Sequence, residues 1–61
     1  MYFLVERDAD TIAARFASKN YGLMVGQLMA QDRGSFFELR KLHGGAVASF
    51  TASGDITRCD H

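Results

Sequence analysis

The sequence predicts an α+β fold, with one helix packed on a small, mainly antiparallel sheet and elements in the order β-α-β-β-β. Three observations predict it. Tyr2 to Arg7 is a short apolar run with two aromatics and a β-branched residue, the composition of a strand. Ala9, Ile12, Ala13, Phe16 and Ala17 then recur at helical spacing behind aspartates suited to capping. From residue 36 onward, short apolar stretches alternate with glycine-containing turns, the pattern of hairpins. With 61 residues, 48% of them hydrophobic, the chain holds one domain, 1–61, and no second core.

In the first strand, Tyr2, Leu4 and Glu6 share one face and Phe3, Val5 and Arg7 the other. Both faces carry bulky side chains, which predicts a central strand. The helix is expected over Asp10 to Asn20. Asp8 or Asp10 caps it, Thr11, Arg15, Ser18 and Lys19 form its polar side, and Gly22 ends it in the left-handed conformation. Its apolar side, Ile12, Ala13 and Phe16, would press onto Phe3 or Leu4, Val5, Leu28, Leu39 and Phe50. Leu23 to Ala30 is apolar, but Gly26 at its middle weakens a helix there by about 1 kcal/mol. Gln31-Asp32-Arg33-Gly34 reads as a turn.

Phe36 to Leu42 admits two readings. Ser35-Phe36-Phe37-Glu38 matches a capping box, with Gly44 closing a short helix. The strand reading is preferred, because a helix of that length is marginal and its apolar positions spread over more than half its circumference. It continues through His43-Gly44-Gly45, where glycine supplies positive φ, into Val47 to Thr51. Ser53-Gly54-Asp55 turns the chain into a last short strand, Ile56 to Cys59. A single helix cannot cover both faces of such a sheet, so some of Met24, Met29, Phe36 and Leu42 must find cover elsewhere.

Seven basic residues balance seven acidic ones. That argues against a dedicated nucleic-acid binder, whose affinity comes largely from phosphate contacts, and against an acidic mimic. The balance is local, however. Between Thr11 and His43, five basic residues face only Asp32 and Glu38, giving a mildly basic middle. The single cysteine, Cys59, makes no internal disulfide, which fits a reducing, cytoplasmic setting. The first residues lack a signal-peptide pattern, and no apolar stretch approaches the ~20 residues a bilayer needs, so no membrane association is expected.

Chemistry is sparse. Cys59-Asp60-His61 with His43 offers soft and imidazole ligands, but lacks the paired motifs of structural zinc. Ser49, Ser53, His43 and Asp55 supply the side chains of a hydrolytic triad without a nucleophile-elbow frame. The six glycines form neither a P-loop nor a dinucleotide fingerprint. No catalytic residue, metal or cofactor is therefore assigned, and the expectation is a non-enzymatic protein.

What remains is binding. Arg15, Lys19, Arg33, Arg40 and Lys41 would steer and make polar contacts, and Tyr21, Phe36 and Phe37 would be the apolar anchors. The expected partner is a protein or a protein–nucleic-acid complex; the alternative is a nucleic-acid module in which Arg40 and Lys41 lie beside base-stacking Phe36 and Phe37. A homodimer is a further way to cover the second sheet face. The small size, the absence of proline, the helix ending in Ala17-Ser18-Lys19 and the closing hairpin Ser53 to Cys59 resemble small anti-CRISPR proteins of phages and mobile elements. That resemblance implies a non-enzymatic inhibitor docked on a nucleoprotein surveillance complex, with basic side chains in a site meant for nucleic acid.

Overall fold

A computed structural model describes residues 1–59. Six elements follow one another: β1 (Tyr2–Glu6), β2 (Thr11–Phe16), α1 (Lys19–Arg33), β3 (Phe37–Lys41), β4 (Ala46–Phe50) and β5 (Ile56–Arg58). The strands form one sheet in the order β2-β1-β3-β4-β5, every neighbouring pair antiparallel. The α+β class, with one helix on an antiparallel sheet, is as expected. So are the central position of β1 and the strand character of β3, β4 and β5.

The helix is not where its spacing predicted. Residues 11–16 form β2, and the helix lies at Lys19–Arg33, so a second strand precedes it. Residues 7–10 make the β1–β2 turn, and Asp10, expected as a cap, takes a left-handed φ of 53° there. The β1–β2 register slips between Leu4 and Val5: Leu4 pairs with Ala14 and Val5 with Ile12, leaving Ala13 as an extra residue. The bulge breaks the two-residue alternation of β2, so its apolar residues imitate helical spacing. Ile12, Ala13 and Phe16 therefore belong to the sheet and do not press on it from a helix.

Serine and glycine bound the true helix. Ser18 accepts a hydrogen bond from the Tyr21 N–H at 3.3 Å, and Gly34, at φ 62°, donates its N–H to the Ala30 carbonyl. Gly34 thus closes α1, and Gly22, expected to end a helix, lies inside it. Gly22, Leu23, Gly26 and Ala30 are the buried helix positions. A Cβ built on Gly26 would lie 2.7 Å from the Phe50 ring, and one on Gly22 3.0 Å from Leu39. The glycines let backbone approach the sheet where a side chain would hold it off. Under them lie Leu4, Leu39, Phe37 and Phe50, all essentially without solvent contact.

Two glutamines tie the helix to the β4–β5 turn. Gln27 donates to the Gly54 carbonyl at 2.8 Å and Gln31 to that of Ser53 at 3.3 Å. At the opposite hairpin, between β3 and β4, neither Gly44 nor Gly45 takes the positive φ expected; Gly34 and Gly54 are the glycines that do.

Candidate functional site

Cross-strand register assigns the faces. Leu4 pairs with Leu39, and both lie beneath α1, so Phe3 and its partners occupy the uncovered side. Phe3 sits opposite Arg15 on β2 and opposite Arg40 on β3, in one row across three strands. The Arg15 guanidinium lies over the Phe3 ring, 5.8 Å from its centroid. The next row holds Ile12, Val5, Glu38, Ser49 and Thr57. Glu38, with its side chain only 16% exposed, receives Arg40 at 2.7 Å and Arg7 at 4.0 Å. One carboxylate thus answers two of the three arginines on this face. A shallow concavity of about 320 Å³ opens beside Phe3, between Ile12, Arg40, Leu42 and Gly44.

The second uncovered surface is the outer side of α1. Three of its four buried positions are small, Gly22, Gly26 and Ala30, with Leu23 the large one, while three large apolar residues point outward: Tyr21 is 55% exposed, Met24 53% and Leu28 58%. Their spacing of three and four residues stacks them in one stripe. No charged residue interrupts the helix between Asn20 and Gln31. Tyr21 is steadied by an edge-on contact with Phe16, ring centroids 5.6 Å apart.

The expected site residues divide over the molecule. Arg15 and Arg40 meet at Phe3 on the open sheet face. Arg15 and Lys19 do not share a helix face as expected, since Arg15 is in β2 and Lys19 begins α1. Arg33, at the helix C-terminus, pairs with Glu6 at 3.6 Å and lies 5.9 Å from the Phe37 ring centroid. Tyr21 belongs to the helix stripe. Lys41 ends β3, exposed. Phe36, half-exposed, precedes β3 and accepts a hydrogen bond from the Arg7 N–H at 3.0 Å through its carbonyl. Phe37 is fully buried under α1 and anchors the core, not a partner. Phe3 is a further aromatic on the open face, placed by the sequence in the strand but not in the site; its alternation with Leu4 was the available signal.

The polar side chains considered for catalysis do not gather. His43 lies in the β3–β4 turn and Ser53 and Asp55 in the β4–β5 turn, at opposite ends of β4. Thr51 and Ser53 bond each other at 3.0 Å, and the Thr51 hydroxyl accepts the Asp55 N–H at 3.1 Å, an arrangement that shapes the turn. Asp60 and His61, half of the candidate metal set, lie outside the described residues. Among the described residues, no three His, Cys, Asp or Glu side chains come together, and no helix is long and apolar enough to cross a membrane. No protein-family model, curated protein or solved structure matches this chain, so what it does has to be argued from these two faces.

Proposed function

We propose that this chain is a non-enzymatic binding protein that docks, as an inhibitor or adaptor, on a protein or protein–nucleic-acid complex. The observation that carries the reading is the inverted helix. An ordinary surface helix turns its large apolar residues to the core and its charges to water. Here two glycines and an alanine face the sheet with Leu23, while Tyr21, Met24 and Leu28 face solvent on an uncharged surface. Such a stripe is the anchor pattern by which one helix seats in a groove of a larger protein. An aromatic and a flexible methionine are suited to its centre. An inhibitor of a nucleoprotein machine, the activity implied by the resemblance to small anti-CRISPR proteins, is within this class.

The test is the double variant Met24→Lys, Leu28→Lys. Both side chains are over half exposed, so the fold should tolerate the change within about 0.5 kcal/mol. Affinity capture from the source cells should recover a partner with the native chain and not with the variant. With that partner purified, Kd should rise by roughly 30-fold or more, the effect of losing a hot spot. Unchanged affinity for the variant would sink the reading. So would a native dimer that the variant converts to monomer in sedimentation, because the stripe would then be a seam between copies.

A further inference from the structure

We infer that the open sheet face, opposite the helix, binds single-stranded nucleic acid, with bases stacked at Phe3 and Phe36 and the phosphates met by Arg7, Arg15 and Arg40. This goes beyond the protein-docking reading and uses none of its residues. Three observations converge. First, arginine flanks Phe3 on both sides: Arg15 and Arg40 are its partners in register, and Arg15 already lies over the ring. A planar guanidinium on an aromatic ring is a stack that a base extends or enters, and every base has a π-face to offer.

Second, the arrangement recurs along the sheet. Phe36 is half-exposed, beside Arg7, and by strand alternation it points away from the buried Phe37. Phe36 lies four residues from Arg40, the cross-strand partner of Phe3. At strand rise that separates the two aromatic stations by roughly 13 Å, far enough for separate bases of one strand.

Third, the charge of this face differs from that of the chain. The chain is neutral overall, yet three arginines stand here against Glu38 and against Asp8, which lies beside Arg7 and Phe36, while Asp10 and Lys41 offset each other at the concavity. The face is positive by one, and its arginines remain about half exposed while paired, 56% for Arg7 and 54% for Arg40. A polyanion that displaces Glu38 from Arg40 and Arg7 gains two planar donors suited to phosphate. Between the stations, beside Glu38, Val5 and Ile12 offer an apolar surface on which unstacked bases can lie.

The experiment is a fluorescence-anisotropy titration of the whole chain with oligo-U, oligo-dT, a duplex of equal length and heparin, over a range of salt. Both or either single strand should bind at low salt, and the two arms decide between RNA and DNA. The duplex and heparin should bind more weakly. Phe36→Ala should weaken single-strand binding about tenfold. Because Phe3 is half-buried, Phe3→Leu, which keeps its bulk and removes its π-face, should do the same with the fold intact by circular dichroism. Arg15→Ala should reduce the log–log salt slope by about one. Glu38→Gln should tighten binding. No binding at low salt would overturn the inference, as would binding indifferent to Phe3→Leu and Phe36→Ala. Equal affinity for heparin would also overturn it, since only charge would then be read. So would a protein partner that needs Arg15 and Arg40 while oligonucleotides do not bind; the Met24→Lys, Leu28→Lys result stands apart from all four.

Discussion

Gly26 lies where α1 crosses nearest the sheet, and one methyl group tests how tight that crossing is. Alanine there gains about 1 kcal/mol of helix propensity. Its Cβ would also lie 2.7 Å from two carbons of the Phe50 ring and 3.1 Å from a Leu4 methyl. Phe50 is 1% exposed and Leu4 fully enclosed, so neither has room to withdraw. Overpacking of this kind costs about 1–3 kcal/mol, and more at its worst. Gly26→Ala should therefore lose stability on balance, by about 1–2 kcal/mol. Gly22→Ala meets the Leu39 methyls at 3.0 and 3.2 Å and a Phe16 ring carbon at 3.2 Å, a looser fit that the gain in helix propensity offsets. It should be close to neutral. Urea denaturation of the two variants checks the order: a Gly26→Ala midpoint equal to or above that of Gly22→Ala would mean that the helix stands further from the sheet.

These same glycines explain what the sequence conceals at the scale of elements. Strand β1 was legible as a short run of β-formers whose faces no bulge changes, and β3, β4 and β5 from the turn residues that separate them. The helix was not. Its buried positions are Gly22, Leu23, Gly26 and Ala30, so a search for large apolar residues on one side finds Tyr21, Met24 and Leu28 on the wrong side. Conversely, β2 carries two alanines, Ala13 and Ala14, whose propensity favours helix, and a bulge that spoils its alternation. Pairing with the edge of β1 decided the outcome, a tertiary term absent from local pattern. Of the site, Arg15 and Arg40 were named from charge, but their meeting at Phe3 depends on that misread strand. At this scale the helix also needs fastening, because its glycines bury little side-chain area. Gln27→Ala removes the part-buried 2.8 Å bond to Gly54 and should cost about 1 kcal/mol. Gln31→Ala, which loses an exposed 3.3 Å bond, should cost less than half of that. Denaturant midpoints check both, and equal losses would show that the turn is not held by Gln27.

For the whole molecule, the decisive property is that its two uncovered faces are separated by the core. The stripe of Tyr21, Met24 and Leu28 lies outside α1, and the row of Arg15, Phe3 and Arg40 lies beyond the sheet, with Leu4, Leu39 and Phe50 between. Each face makes its own side-chain contacts, the Tyr21–Phe16 ring pair on one side and the Glu38 ion pairs on the other. Substitutions without shared partners and more than about 7–10 Å apart add within about 0.5 kcal/mol. A double-mutant cycle between Met24→Lys, Leu28→Lys and Arg15→Ala, Arg40→Ala should accordingly show a coupling below that value in denaturant unfolding. In binding, the helix pair should leave oligonucleotide affinity unchanged, and the arginine pair should leave affinity for the purified protein partner unchanged. On the two proposals together, each face would take its own ligand and the domain would hold both at once. A coupling energy well above 0.5 kcal/mol would instead mean that ligand on one side alters the other through the thin core, and that the two faces form a single site.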